Sequence, residues 1–299
     1  MTLPQSHLLR VTLSVNAAFS LLTGVTLLLG GAQIVPWLGN IPQWLVTSLG
    51  GMLLMFAVLI VFIVCQIRPA RALGIVTLDI GWLVCTVPLI FVPGLLTDPG
   101  KVAVLIVALL VGGLAVAQLV GIRLMLCDPV RGRGEYRHCI RVHVAAPAQA
   151  MWETIADLGG ISRFSPALVT STLRDGARPG VGTIRVCTNT SSHTWSEVCE
   201  IFDLKERRLE VRFLTNEPGF PYPAKVMFGG WNVQEDGEGS TVEVWWSITP
   251  TLPLGWLIVT LMGLRIDGDF AAMISRMAEV AQGRPLPEVP PKLTPAFCS

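Results

Sequence analysis

Trp44-Leu-Val-Thr-Ser-Leu-Gly-Gly-Met-Leu-Leu-Met-Phe-Ala-Val-Leu-Ile-Val-Phe-Ile-Val-Cys65 carries no charged side chain from end to end. A helix needs about 20 residues to cross the hydrocarbon core of a bilayer, and this stretch supplies them. Leu8–Leu29, Ile75–Phe91 and Val102–Leu126 have the same character, although Ile75–Phe91 is short and contains Asp79 and Pro88. Hydrocarbon offers no water to backbone N–H and C=O groups, so each stretch is expected to be an α-helix. The surrounding charge pattern agrees. From Met1 to Ile122 the only charged residues are Arg10, Arg68, Arg71, Asp79, Asp98 and Lys101, and the first glutamate is Glu135. The chain of 299 residues is 14% charged, whereas a soluble domain carries about 25%. Beyond Arg123 the mixture of charges and turn residues becomes ordinary. Two compositions imply two solvents: a four-helix transmembrane domain at 1–128 and a water-soluble domain after it.

Orientation follows the flanking Lys and Arg residues. With four crossings, Arg10, Arg68, Arg71, Arg123, Arg131, Arg133 and Arg137 fall on one side and Lys101 on the other. Both termini and the soluble domain are therefore expected in the cytoplasm, with the chain multi-pass in the plasma (inner) membrane. The first apolar run is longer than the ~7–15 residues of a signal peptide and three more spans follow, so it reads as a permanent anchor. The seven cysteines then lie in reducing or lipid surroundings and form no C-x-x-C pair. Neither a disulfide framework nor a zinc site is indicated, and no cofactor is expected. A net charge of +1 argues against a nucleic-acid partner, which needs a basic face. Asp79, an ionisable group inside the membrane, is a functional candidate by type. The simpler expectation is that it pairs with Arg71, Arg68 or Arg123 about one turn inside the cytoplasmic face. Asn16, Ser20 and Thr23 form a polar stripe on the first span, and Gly50-Gly51 and Gly112-Gly113 permit close helix packing.

The soluble half opens with a basic stretch, 129–137, suited to anionic headgroups. Cys139–Ala145 alternates as a strand does. Pro147 opens a helix, Ala148–Leu158, stopped by Gly159-Gly160, and a short helix Ile161–Phe164 follows. Six strand-like runs come next, Leu168–Arg174, Gly182–Thr188, Trp195–Asp203, Arg208–Thr215, Ala224–Gln234 and Thr241–Pro250, separated by turn residues. The last element is a long helix, Pro253–Gln282, whose Trp256, Val259, Gly263, Ile266, Phe270, Ile274, Met277 and Ala281 form one apolar stripe. Strand, two helices, six strands and one long helix describe a helix-grip fold: a curved antiparallel sheet around a C-terminal helix. The segment Thr251–Leu264 holds no charge. It is too short to span a membrane, so the start of the long helix is expected either to touch the bilayer or the four-helix bundle or to close over the domain as a gate.

These residues carry a resemblance. Val144-Ala-Ala-Pro147 leading to Met151-Trp152, Ile161-Ser-Arg-Phe164-Ser-Pro166, Trp195-Ser-Glu197, Glu206-Arg-Arg-Leu209 and Gly239-Ser-Thr-Val242 after Trp231 resemble the SRPBCC superfamily, the START and polyketide cyclase/dehydrase-like group, over 138–284. A Pro-rich tail, 285–299, completes the chain. The first half is similar to four-helix membrane segments of uncharacterised bacterial proteins. The resemblance implies a cavity between sheet and long helix holding a lipid, polyketide or prenyl compound. Alternation places Val211 and Phe213 on one face beside Val244 and Trp246, and Met227 and Trp231 join that layer. Trp195 from its strand, and Ile266, Asp267, Phe270 and Met277 from the long helix, complete the expected ligand-binding set. The same residues would equally fill a solid core. Arg185, His193, Glu197 and Asp267 are the polar groups open to catalysis, although Arg185 is out of phase with Ile184 and Val186 and is expected to face water. No nucleophile–base set, metal cluster or phosphate loop accompanies them. The expected function is a membrane-anchored hydrophobic-ligand binding or transfer protein. A cyclase or dehydratase on a hydrophobic substrate, or a membrane scaffold or regulatory protein, are the alternatives.

Overall fold

The computed structural model describes residues 6–128 and 130–298, so Met1–Gln5, Pro129 and Ser299, which include expected domain limits, lie outside the described residues. The chain divides into two units, one ending at Met125 and one spanning Leu126–Cys298.

In the first unit, α1 (His7–Leu38), α2 (Gln43–Cys65), α3 (Pro69–Thr86, extended by a 3-10 turn Val87–Phe91) and α4 (Asp98–Leu126) are each long and apolar enough to cross a membrane. α1 runs beyond its expected end at Leu29, through Pro36 in its last turn. The outward faces are apolar, with Leu29, Met55, Val58 and Phe91 all strongly exposed, as lipid-facing surfaces must be. α1 and α2 cross at glycines: a Cβ on Gly24 would lie 2.9 Å from the Gly50 carbonyl oxygen, and one on Gly50 2.9 Å from that of Gly24. Substitution at either would push the helices apart.

Asp79 corrects an expectation. Its carboxylate does not meet an arginine. Asn16 Nδ2 of α1 donates to Asp79 Oδ2 at 2.8 Å, and Gln118 Nε2 of α4 donates to the same oxygen at 3.4 Å. Ser20 Oγ lies 3.5 Å from Asn16 Oδ1. All four residues are buried. Three helices thus converge on one carboxylate, because amide side chains from α1 and α4 reach it inside the bundle. Gln118, a polar residue within the fourth span, was the part that the sequence reading passed over.

In the second unit, the strands are β1 (Cys127–Asp128), β2 (Gly132–Val144), β3 (Leu168–Leu173), β4 (Ile184–Asn189), β5 (Thr194–Asp203), β6 (Arg208–Phe213), β7 (Ala224–Asp236), β8 (Gly239–Pro250) and β9 (Ala296–Phe297). Among the described residues they form one antiparallel sheet in the order β1-β2-β8-β7-β6-β5-β4-β3, with β9 also pairing β2. The helices are α5 (Ala148–Ala156) and α6 (Gly255–Ala281), with a 3-10 turn at Leu158–Arg163. This is the expected helix-grip arrangement. Alternation decides which side of each strand faces α6. Ile140, Val142 and Val144 of β2, Val242 and Val244 of β8, Trp231 and Val233 of β7 and Leu209 and Val211 of β6 pack with Met151, Trp152, Ile274 and Met277 from the helices. Trp152 and Met151 are almost wholly buried. An indole of this kind removes 150–250 Å² from water, worth roughly 4–6 kcal/mol at 25 cal/mol per Å².

The C-terminal tail returns to the domain. Arg276 Nη2 donates to the Glu288 carbonyl at 3.3 Å and Ser275 Oγ to that of Pro291 at 2.8 Å. β9 then lies against β2 with Ile140 opposite Phe297. This places Cys298 beside Cys139, and the two form a disulfide. The expectation of no disulfide is therefore corrected. The partners are 159 residues apart in sequence, and only the return of the tail to β2 brings them together.

Candidate functional site

The inner face of the sheet, covered by α6, carries almost all the residues expected to bind ligand. Val211, Trp231, Val244 and Met277 belong to the packed core, and Phe213 and Phe270 lie against it. Trp195, Met227 and Trp246 are buried, while Ile266 and Asp267 are half-buried on α6. Trp231 meets Phe270 edge to face, with ring centroids 5.8 Å apart.

Two polar groupings interrupt this apolar layer. At the β4–β5 end, an aromatic chain runs from Phe213 to Phe220 (6.3 Å), on to Tyr222 (5.6 Å) and then to Trp195 (5.9 Å). Phe213, Phe220 and Tyr222 are half-buried, so this is where the aromatic layer reaches the surface. Beneath it, Trp195 Nε1 donates to Glu197 Oε1 at 2.7 Å, and Arg185 Nε donates to Glu197 Oε2 at 3.0 Å. Arg185 Nη1 reaches the Leu158 carbonyl at 3.4 Å. At the β2–β8 end, His138 Nε2 lies 2.6 Å from Asp267 Oδ1, and the imidazole stacks on Trp246 with centroids 5.6 Å apart.

Residues 140–282 match the family described as polyketide cyclase / dehydrase and lipid transport. The match covers just under half of the chain and bears out the resemblance read from the sequence. No curated protein matches the chain. Among solved structures, a norcoclaurine synthase of Thalictrum flavum is 19% identical, with a TM-score of 0.41, over 50% of this chain and 95% of its own. The Zhui aromatase/cyclase of Streptomyces sp. R1128 is 18% identical, with a TM-score of 0.39, over 48% of this chain and 94% of its own. A protein of Thermobifida fusca is 27% identical, with a TM-score of 0.39, over 49% of this chain and 95% of its own.

Within this helix-grip domain the four polar candidates part company. His193 is exposed in the β4–β5 turn, and only its backbone N–H and carbonyl are engaged there, with Asn189. Arg185 is a third correction: it is buried and ion-paired with Glu197, which also points inward. Register explains it, since Arg185 stands directly across from Glu197 in the β4–β5 ladder. Burial, the largest single influence, would lower the guanidinium pKa, but the Glu197 charge and hydrogen bond together with Cys187 and Cys199 hold it above its ordinary value. Burial, and then Glu197 and Cys187, push the Tyr222 phenol upward. The Cys187 thiol is raised to about 11 by burial and then by Glu197, and that of Cys199 to about 11 by burial. Neither is a thiolate nucleophile at neutral pH. Asp267, the fourth candidate, is joined to His138, which the sequence reading left out. His138 shares the period-two phase of Ile140, Val142 and Val144, and that signal was available. Starting the strand at Cys139 hid it. A surface depression of about 620 Å³, lined by charged residues of the β5–β6 turn and β7 such as Asp203, Lys205, Arg207 and Glu235, lies apart from these groups.

Proposed function

We propose that this chain is a membrane-anchored protein whose helix-grip domain binds an apolar small molecule, such as a lipid, polyketide or prenyl compound, against the inner face of its sheet and exchanges it with the bilayer. The family match over 140–282 carries this reading, and the aromatic chain from Phe213 through Phe220 and Tyr222 to Trp195 is the surface it would use. Ligand pockets are mostly apolar with a few placed polar groups, and the inner face has that composition. Four helices suited to a membrane in the same chain raise the local concentration of the domain near poorly soluble ligands. By the Arg asymmetry, the domain and both termini lie on the cytoplasmic side. Domain limits of 1–128 and 138–284 belong to the same reading.

A second reading, a cyclase or dehydratase on a hydrophobic substrate, is favoured by the buried Arg185–Glu197–Trp195 network beside Tyr222. Native mass spectrometry of the protein purified from membranes tests both. A bound hydrophobic compound supports the first reading, and bare protein from every preparation overturns it. A compound whose mass changes between wild type and Glu197→Gln supports the enzyme.

A further inference from the structure

His138 is held from two sides. It stands across from Trp246 in the β2–β8 ladder, and α6 passes over it at Gly263. A Cβ on Gly263 would lie 2.5 Å from the imidazole Cε1 and 3.0 Å from Nδ1, so glycine is what lets the helix come down onto the ring. One helical turn later, Asp267 Oδ1 reaches Nε2 at 2.6 Å. The ring is 3% exposed. A carboxylate only accepts hydrogen bonds, so in the neutral imidazole Nε2 carries the proton and Nδ1 keeps its lone pair. That assignment follows from the network.

Two buried atoms are left over. His138 Nδ1, an acceptor, and Trp246 Nε1, a donor, have no partner among the described residues. A buried polar atom without a partner is costly and calls for an explanation. The two sit on stacked rings, with Phe297 of β9 edge-on to the imidazole at 5.2 Å. An unpaired acceptor and an unpaired donor on two stacked rings match one small functional group: a hydroxyl, which donates to the imidazole nitrogen and accepts from the indole N–H. We propose that His138 and Trp246, with Asp267 positioning the imidazole, form the hydroxyl-recognition point for an apolar alcohol or phenol bound against the inner face. This rests on the reading that the domain binds an apolar ligand. It names the polar end of that ligand.

The test uses full-length protein in nanodiscs and two probes with the same apolar body, 2-naphthol and its methyl ether, which cannot donate. Calorimetry at pH 8 reads both affinities. Wild type is expected to prefer naphthol about tenfold. His138→Phe, which keeps a stacked ring but no acceptor, should abolish most of that preference while leaving the ether affinity unchanged, whereas Trp246→Phe, which removes the donor to the oxygen that both probes carry, should weaken both. If His138→Phe does not fold, weakening of both probes by Trp246→Phe and loss of the preference in Asp267→Ala decide together. Asp267→Ala should lower the preference and convert the Nε2–H tautomer of His138, read by nitrogen NMR, into a mixture. Equal affinity of wild type for the two probes overturns the hydroxyl site and leaves apolar binding intact. Absence of binding by both overturns the site together with the reading beneath it. A preference that survives His138→Phe, or an affinity for both probes that Trp246→Phe leaves unchanged, also overturns the site.

Discussion

Arg185 and Glu197 are the costliest pair in the soluble half, because both charges have left water. Each satisfies the other, and Trp195 and the Leu158 carbonyl take up remaining hydrogen-bonding capacity. Removing one partner of such a pair strands a buried charge and costs about 3–5 kcal/mol, whereas replacing both by apolar residues of similar size is often neutral. Arg185→Met should therefore lower the melting temperature sharply, and Arg185→Met with Glu197→Leu should recover most of the loss. A double variant as unstable as the single one would show that the ionic network is required in itself. The sequence could not display this pair. Alternation assigns a charged residue between Ile184 and Val186 to solvent, and both of those neighbours are only half-buried. What turns Arg185 inward is its cross-strand register with Glu197. That register depends on the turn joining β4 to β5, which composition does not specify. Trp195 and Glu197, two residues apart, were legible as sharing a face; which face was not.

α6 was the most legible element, since its stripe, its stop at Gly283 and its length follow from periodicity and capping alone. Val259, Gly263, Ile274 and Met277 are buried as the stripe requires. Its first turns behave differently. Leu252 and Leu254 just before it, and Leu261 and Leu264 within it, are exposed, the last two at 50% and 63%. Apolar side chains clustered on one surface suit an interaction, and on the proposed membrane-anchored function the occupant is lipid. A fragment comprising residues 134–298, which retains the tail strand on β2, should then sediment with anionic vesicles. Leu261→Asp with Leu264→Asp should abolish sedimentation while changing stability little, as surface substitutions do. Vesicle binding that survives the double change removes the bilayer contact. A large fall in melting temperature means that these leucines serve the fold as a gate. β2 was legible only in part. Arg133 and Arg137 read as a linker, yet the strand begins at Gly132, and Arg137 is accommodated by Glu243 at 3.2 Å and by the Trp245 ring at 4.4 Å.

At the scale of the whole molecule, the arginine asymmetry and the Cys139–Cys298 disulfide bear on the same question from opposite directions. On the proposed orientation, which rests on seven arginines against one lysine, the second unit faces the cytoplasm, where thiols are kept reduced. The disulfide closes a loop with a sequence separation of 159 residues, and in the chain-entropy picture a cross-link of that length contributes about 5 kcal/mol. The two observations agree if the cysteines are thiols in the cell and join only on exposure to oxidant. Reporter fusions at Ser165 and Gly39 should then report the cytoplasmic and the external side respectively. Maleimide labelling of acid-quenched cells should find Cys139 and Cys298 free, and air-oxidised purified protein should protect both and melt higher than its reduced form. With the bond open, β9 is held to β2 by short pairing at Ile140 and Arg141 and by the Arg276 and Ser275 bonds to the tail. Phe297 then leaves His138 more readily, so naphthol should associate faster with the reduced protein. An external Ser165 reporter, with the disulfide already formed in living cells, would invert the orientation and make the bond a permanent clasp on the tail.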